Sequence, residues 1–302
     1  MNNGMRTGGI FHSESILKGF HFKKRGVLLE QAKILEKAGA EQIELTADLF
    51  DAEPFPIDYL QQEVEKLLEL KKRGMLFSLH AQCIAGVATA SSHERIRRAS
   101  VETIIEGYLL TEMLEPITVT MHPTILAEID REIKPANKSA KKYLVRLARG
   151  YEEKSLLELS EAIPSHKICI ENHHDGDIWD YKDLIEKYGY SVCYDLPHDY
   201  VRNPGITSCD RFFNKWGRYI RNIHLHNITS QSLFYGLPKL KDHESLTDPN
   251  GLIHAEVACR QFNYFGYRDA VIVEEYNNKD IADSIRMVRR IIEKIKNEKA
   301  SE

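Results

Sequence analysis

Short apolar runs alternate along the chain with longer stretches in which apolar residues recur at helical spacing. The short runs predict strands at 6–11, 42–46, 75–80, 117–122, 167–172, 191–195, 220–226 and 270–275. The helical spacing predicts helices at 27–38, 58–74, 92–114, 137–163, 180–188, 208–216, 253–265 and 279–298. Strands and helices in strict alternation indicate a parallel sheet whose connections are right-handed crossovers.

Eight strand–helix units are the number that closes a parallel sheet into a barrel. An open, doubly wound sheet is the alternative, but no glycine-rich phosphate-binding loop follows the first strand. No linker, low-complexity tract or change in composition divides the chain. We therefore predict an α/β fold with a single (β/α)8 TIM-barrel domain over residues 1–302, ending in a frayed tail at about 296–302.

The longest predicted connection runs from the seventh strand to the seventh helix, at about 227–252. Loops of that length are usually functional or disordered. In a (β/α)8 barrel this connection leaves the C-terminal ends of the strands, the face that carries active sites. We therefore expect the connection to contribute residues to a site.

The composition narrows the class of protein without indicating a particular function. A chain of 302 residues, 42% of them hydrophobic, can bury the large core of one barrel. The net charge of -4 gives no general attraction to nucleic acid, and no apolar run is long enough to span a membrane. Five widely spaced cysteines without a C-x-x-C motif, and a first segment without the apolar stretch of a secretion signal, favour a reduced cytoplasmic protein.

Polar side chains stand at the C-terminal ends of the third to eighth predicted strands. These residues can all bind a metal ion, and they are His80, His122, Glu171, Asp195, His224 and Glu274. One such histidine would be an ordinary buried residue with one hydrogen bond, but that explanation does not extend to six consecutive strands. Buried carboxylates need a partner, and a divalent cation is the usual partner of several at once. The pattern therefore predicts a metal site at the barrel mouth.

Further metal-type residues are predicted to lie near this mouth. His226 shares a strand face with His224, and His198 follows Asp195 by three residues. His243 stands in the long connection. Imidazole and carboxylate ligands together suit zinc, manganese, cobalt or iron. We expect a divalent transition metal as cofactor, with two ions as the first choice.

The short motifs that carry these residues occur in an order that resembles one superfamily. They are "QIELT", "SLHA", "MHP", "IEN", "DLPH", "HLH" and "VIVEEY", and they span nearly the whole chain. The set is similar to the xylose isomerase-like TIM-barrel superfamily (AP endonuclease family 2), which includes endonuclease IV-type phosphodiesterases and sugar isomerases and epimerases. The resemblance implies a metal-dependent barrel enzyme from one of these two branches.

The endonuclease-like branch implies a cluster of three metal ions. The ligands that the resemblance implies for the first two ions, with Glu171 as the bridge, are His80, His122, Glu171, Asp195, His224 and Glu274. A third ion would take His198, His243 and an aspartate two residues before His243. This chain has Lys241 at that position and Asp242 beside it, out of register. The third ion is therefore left open, and Lys241 is expected to meet a substrate phosphate as a catalytic cation.

The two branches predict different reactions at one site. The first interpretation is a hydrolase that cleaves a small phosphoester or phosphodiester with a hydroxide held by the metal ions. The alternative is a sugar or sugar-phosphate isomerase or epimerase in which Glu171 and Glu274 act as an acid–base pair. Hydrolysis is placed slightly ahead, because the isomerase leaves His80, His122 and His243 unexplained. A metal-containing binding or sensor protein is the minor alternative.

Substrate contacts are predicted from the positions of three residues. Glu44 ends the second strand, His226 lies one layer beyond His224, and Trp179 stands on a predicted loop at the catalytic face. A hydrogen bond into the barrel floor is an equal alternative for Glu44. The expected partner is a small molecule that bears a phosphoester, a nucleotide or a sugar, and the sequence allows a homodimer. DNA is not expected, because this mildly acidic chain shows no groove that would neutralise several phosphates.

Overall fold

The computed structural model describes residues 4–11, 25–51, 56–82, 87–122, 138–173, 178–203, 209–234, 237–275 and 278–300. Its strands are β1 (Arg6–Ile10), β2 (Gln42–Thr46), β3 (Leu76–His80), β4 (Val119–Met121), β5 (Ile168–Glu171), β6 (Ser191–Asp195), β7 (Ile220–Leu225), β8 (Asn227–Phe234), β9 (Leu237–Glu244) and β10 (Ala270–Val273). Eight of them close into a barrel in the order β1-β10-β7-β6-β5-β4-β3-β2. Every neighbouring pair in the barrel is parallel, which confirms the predicted (β/α)8 fold.

Helices connect the strands and cover the outer face of the barrel. They are α1 (Val27–Ala38), α2 (Asp48–Asp51), α3 (Ile57–Glu65), α4 (Leu68–Lys72), α5 (Glu94–Thr111), α6 (Lys138–Ala162), α7 (Lys182–Tyr188), α8 (Leu196–Arg202), α9 (Asp210–Trp216), α10 (Ala255–Tyr264) and α11 (Asn278–Ala300). The helix predicted at 58–74 is divided into α3 and α4, and the short α2 and α8 have no counterpart in the sequence pattern. The predicted frayed tail is helical up to Ala300, because α11 continues to that residue.

The barrel strands have an apolar outer face and a partly polar inner face. Outward side chains such as Ile43, Leu79 and Ile223 are fully buried under the helices. A layer of buried polar side chains fills the interior below the strand ends, and its members are Gln42, Glu44, Ser78, Thr120 and Asn222. Barrels of this kind usually fill that space with branched apolar residues. The polar layer is therefore a departure from the usual packing of this fold.

The long connection predicted at 227–252 contains a hairpin, formed by the antiparallel pair β8 and β9. Asn227 ties the two ends of this connection together. Its Oδ1 accepts hydrogen bonds from the backbone N–H groups of Ile228 and Ile253, both at 2.9 Å. Gly251 packs against the same side chain, and a Cβ at this glycine would come within 1.7 Å of Nδ2 of Asn227. The base of the hairpin is therefore closely packed.

Two observations bear on the cellular location of the protein. Cys169, Cys193, Cys209 and Cys259 are buried and free, which agrees with the expectation that the chain has no disulfide framework, while Cys83 lies outside the described residues. Among the helices that the structure describes, none is both long and apolar enough to cross a membrane. The cytoplasmic location stays a prediction.

Candidate metal centre

Polar side chains from the strand ends converge on the carboxylate of Glu171, at the end of β5. Its Oε2 lies 3.5 Å from Nε2 of His80, 3.3 Å from Nε2 of His122 and 3.4 Å from Nδ1 of His224. Its Oε1 lies 3.3 Å from Nδ1 of His198. Imidazoles from four different parts of the chain therefore surround one carboxylate that is inaccessible to solvent.

The separations around Glu171 favour a shared cation over direct hydrogen bonds. They exceed the usual N–H···O distance, and both Glu171 oxygens and Nδ1 of His224 lack a hydrogen bond of normal geometry. Donors bound at about 2.1 Å to one ion lie about 3.0–3.5 Å apart, which agrees with these separations. Unsatisfied buried polar atoms are costly. The donor set and its spacing therefore fit a divalent metal ion.

Two of the donor groups that share Glu171 contain all six residues predicted at the strand ends. The first group consists of Glu171, Asp195, His224 and Glu274, all buried, with one ligand atom of each within 4.8 Å of the others. In it, Nδ1 of His224 lies 2.9 Å from Oε2 of Glu274. The second group consists of His80, His122 and Glu171 at the same spacing. Glu171 thus occupies the position predicted for a bridging ligand, and the bridge itself stays a prediction.

Contacts to its backbone and to a helix hold Asp195 in place. Asn172, directly after Glu171, accepts from the N–H of Asp195 at 2.8 Å and donates to the Asp195 carbonyl at 2.7 Å. Oδ1 of Asp195 caps α8 by accepting from the backbone N–H of His198 at 2.5 Å. His198 lies in the first turn of this helix, which the sequence pattern does not predict. The "DLPH" spacing is thus that of a capping aspartate followed by a helix.

A third group of donors lies between α8, the end of β7 and the hairpin. It consists of His198, His226, Asp242 and His243, whose ligand atoms also lie within 4.8 Å of one another. Asp242 lies 3.4 Å from Nε2 of His198 and 3.2 Å from Nδ1 of His226. Nε2 of His226 lies 3.2 Å from Oδ2 of Asp195, so this group adjoins the first. The sequence predicts a substrate contact for His226, but carboxylates approach both of its ring nitrogens.

A bulge in β9 explains why Asp242, and not Lys241, joins the third group. The flanking residue pairs of the hairpin are Asn227–Glu244 and Thr229–Lys241. One extra residue of β9 therefore lies between these pairs, and His243 adopts a left-handed conformation there with φ of 54°. This geometry lets two successive residues face the same side. The half-exposed Lys241 pairs with Glu244 instead. Its predicted contact with a substrate phosphate stays a prediction.

Three carboxylates of these groups have a lowered pKa and are held in their ionised form, namely Glu171, Asp242 and Glu274. Burial alone would raise the pKa of Glu171, but the positive charges of His122 and His224 hold it well below the ordinary 4.5. Burial also opposes ionisation of Asp242, but a hydrogen bond from His198 and the charges of the neighbouring histidines together outweigh it, so that the pKa of Asp242 is lowered. The negative charge expected of metal ligands is therefore present before any ion binds.

The histidines of these groups differ in their protonation. Burial lowers the pKa of His224, yet the attraction of Cys193 and Glu274 raises it well above 6.5. Because burial raises the pKa of the Cys193 thiol well above its usual value, carboxylates account for this attraction at neutral pH. Burial and the charge of His226 lower the pKa of His243 to about 4. His243 is therefore neutral and ready to bind an ion, whereas an ion must displace a proton from His224.

Glu44 lies beneath the donors and not beside a substrate. It is fully buried, and its Oε1 lies 2.7 Å from Nε2 of His224. Its Oε2 accepts hydrogen bonds from Ser78 at 2.9 Å and from Asn222 at 2.7 Å. Of the two roles left open by the sequence, the structure therefore shows the hydrogen bond inside the barrel.

Trp179 is a predicted substrate contact, whereas His173 has no role assigned from the sequence. Trp179 stands in the 3-10 turn Ile178–Tyr181, where its ring packs on Trp216 at a centroid distance of 5.3 Å. Its stacking on a substrate stays a prediction. The ring of His173 lies 4.8 Å from that of His122 and 5.0 Å from that of His198. Its place two residues after Glu171 was the signal for this position.

Solved structures of similar fold cover nearly the whole chain. A D-tagatose 3-epimerase-like protein superposes with a TM-score of 0.67 at 19% identity, covering 98% of this chain and 100% of that chain. An L-ribulose 3-epimerase gives a TM-score of 0.66 at 13% identity over 98% and 97%. The endonuclease IV of Thermus thermophilus gives 0.59 at 14% identity over 96% and 99%. At these identities the likeness shows the fold alone.

Sequence comparison gives a match at the level of the family. Among curated proteins, no sequence matches this chain significantly. The sequence profile described as xylose isomerase-like TIM barrel matches residues 32–291. This match covers most of the chain, from before β2 to within α11, and it includes every donor described above. The chain therefore belongs to the xylose isomerase-like TIM barrel family.

Proposed function

We propose that this chain is a divalent-metal-dependent isomerase or epimerase of a small sugar or sugar phosphate. The observation that carries the proposal is the first donor group, in which Glu171 and Glu274 both face Nδ1 of His224. This group provides four ligands for one ion. It also provides two carboxylates, on strands to either side of β7, that can exchange protons with a substrate.

The comparisons support this reading better than the hydrolase that the sequence places first. The similar solved structures include a D-tagatose 3-epimerase-like protein, a D-psicose 3-epimerase and an L-ribulose 3-epimerase. An endonuclease IV is also among them. Because these likenesses show the fold alone, the proposal depends on the donor group and takes only support from the neighbours.

Glu171 and Glu274 would carry the proton transfer. Both are ionised, since neighbouring histidines hold their pKa values low. Each carboxylate has two oxygens, so one can bind an ion while the other reaches a substrate C–H group. A bound ion would polarise the substrate carbonyl and acidify the carbon beside it. One glutamate would remove that proton and the other would return a proton to the opposite face or to the neighbouring carbon.

The charges around the donors favour a sugar over a phosphodiester. Among the described residues, every ion pair of Glu171, Asp195, Asp242 and Glu274 has a histidine as its partner. Lys241, expected to meet a phosphate, pairs with Glu244. Imidazoles such as those of His80 and His122 can exchange hydrogen bonds with sugar hydroxyls. Phosphate recognition more often uses arginine or lysine.

The second candidate is a hydrolase of small phosphoesters, and one observation favours it. The donor groups that contain His122 and Asp242 adjoin the first group, and an isomerase with one ion needs neither. Asp242 also supplies the carboxylate that the sequence leaves in doubt for a third ion. Two or three neighbouring ions would suit the displacement of a leaving group from phosphorus.

Metal content and isotope exchange separate the two candidates. Protein purified without chelators is analysed for metal ions per chain, then supplied with manganese or cobalt and incubated with ketoses and aldoses in D2O. Deuterium beside the carbonyl, absent in Glu274→Gln and retained in Glu152→Gln, would support the isomerase. Cleavage of bis(4-nitrophenyl) phosphate without sugar exchange, by protein with two or more ions, would replace it with the hydrolase. Bound metal without either activity would favour a binding protein.

A further inference from the structure

We propose that Glu44 is a positioning residue for the metal centre, which holds the Nε2–H of His224 and so leaves Nδ1 of this histidine to the ion. The proposal rests on the metal site of the proposed function but not on the reaction carried out there. A carboxylate behind a metal-binding histidine fixes the orientation of the ring and strengthens its bond to the ion.

The contact between Glu44 and His224 is short and fully buried. Oε1 of Glu44 lies 2.7 Å from Nε2 of His224, and neither residue is accessible to solvent. The other ring nitrogen, Nδ1, faces the carboxylates of Glu171 and Glu274 at 3.4 Å and 2.9 Å. The imidazole therefore connects the polar interior layer of the barrel to the donor group above it, with one nitrogen on each side.

The position of the proton follows from the partners of each nitrogen. An ionised carboxylate can only accept hydrogen bonds, so the contact with Glu44 requires an N–H group at Nε2 of His224. Asn222 also approaches this nitrogen, at 3.3 Å. Its two N–H groups are nevertheless directed to Oε2 of Glu44 at 2.7 Å and to Oγ1 of Thr120 at 3.1 Å. Nδ1 is therefore the nitrogen from which an ion displaces a proton, and the lone pair that the ion needs is left there.

Side chains of β3 and β7 hold Glu44 in this orientation. Its Oε2 accepts from Oγ of Ser78 and from Nδ2 of Asn222, and Ser78 accepts in turn from Nε2 of Gln42 at 3.0 Å. These donors engage Oε2 and leave Oε1 to face His224. Apolar side chains would pack the barrel interior without the desolvation cost of a buried carboxylate. The buried carboxylate of Glu44 is therefore explained by its hydrogen bond to Nε2 of His224.

This network gives a sharp expectation for Glu44→Gln, which changes little in shape. Asn222 requires an acceptor, so the new amide oxygen takes the side of Oε2 and the new NH2 group turns toward His224. An N–H donor at that point requires a lone pair on Nε2 and moves the ring proton to Nδ1, where the ion should bind. Adding Asn222→Asp provides an acceptor for the NH2 group and returns the amide oxygen to His224.

Zinc affinity, measured with a competing chelating dye and without substrate, tests the proposal. We expect Glu44→Gln to weaken zinc binding by about 10- to 100-fold, and the double variant with Asn222→Asp to recover most of the loss. The matched control is Glu152→Gln, which makes the same exchange at a buried carboxylate that accepts from Thr89 in another part of the fold. This control should keep wild-type affinity. In zinc-loaded wild-type protein, 15N shifts should show the proton of His224 on Nε2.

Three results would overturn the proposal. The first is wild-type zinc affinity in Glu44→Gln, and the second is an equal loss in Glu152→Gln, which would indicate a general sensitivity to buried charge. The third needs no variant, since a proton on Nδ1 of His224 in the zinc-loaded wild-type protein would contradict the assignment directly. Melting temperatures of the metal-free variants confirm that folded proteins are compared. Because no reaction is measured, failure of the isomerase proposal would appear separately, in the exchange assay.

Discussion

Oε2 of Glu171, at the end of β5, lies 3.4 Å from Nδ1 of His224, at the end of β7, with strand β6 between them. The same oxygen lies 3.3 Å from His122. One carboxylate thus belongs to both the first and the second donor group. The occupancy of each group should depend on this single side chain.

Replacing Glu171 should therefore remove both metal and activity. Glu171→Gln keeps the shape of the side chain but withdraws the negative charge, and we expect metal content to fall and turnover to drop by about 100- to 10,000-fold. Metal analysis after dialysis and initial rates with excess metal provide the two measurements. Glu152→Gln is the control. Full metal occupancy in Glu171→Gln would show that the two groups do not depend on this residue.

The hairpin allows a test with two adjacent residues of opposite charge. Asp242→Asn should reduce the metal held by the third donor group, because the carboxylate lies within 3.4 Å of both His198 and His226. Lys241→Met should have little effect on metal content, since its ammonium group pairs with Glu244. Metal titration of both variants is the measurement. The opposite pattern, loss of metal in Lys241→Met alone, would contradict the assignment of Asp242 to the third donor group.

The sequence was sufficient to predict the barrel and the convergence of donor side chains at its strand ends. Strand side chains alternate and parallel strands of a barrel end on one face, so His80, Glu171 and Asp195 could be brought together from their positions alone. The closeness of Asp242 to these residues could not be predicted, because it depends on one irregular backbone conformation in β9. The same holds for Glu44, whose partners come from two other strands, β3 and β7.

Gly251 should not tolerate a side chain. A Cβ at this position would collide with Asn227, whose two hydrogen bonds hold the ends of the hairpin connection together. We expect Gly251→Ala to lower the free energy of unfolding by about 1–3 kcal/mol and to expose the hairpin to proteases. Gly150→Ala is the control, because its Cβ would meet no atom within 4 Å and α6 should gain stability. Equal stability of the two variants would contradict the close packing.

Glu152 should make the stability of the metal-free protein depend on pH. Burial raises the pKa of its carboxyl to about 7, so the folded state binds a proton that the unfolded state releases above its ordinary pKa of about 4.5. The contribution is complete below pH 4.5 and is lost as the pH rises to about 7, by about 3 kcal/mol in total.

Glu152→Gln imitates the protonated form and should remove this part of the pH dependence. Urea unfolding at pH 5 and pH 8, with a chelator present, gives the free energy for both proteins. We expect the wild type to lose more stability than the variant between these values. Parallel changes in the two proteins would show that Glu152 ionises in the folded state as readily as in the unfolded chain.

The bulge in β9 determines how many donors the hairpin presents to the metal centre. A regular strand would place one residue opposite Ile228, whereas the bulge places both Asp242 and His243 there, between the pairs Asn227–Glu244 and Thr229–Lys241. Removal of either residue would leave one donor at this point, while all eight strands of the barrel kept their sequence. In evolutionary terms, one inserted residue in a hairpin is enough to turn an edge with a single ligand into an edge that offers a carboxylate and an imidazole side by side.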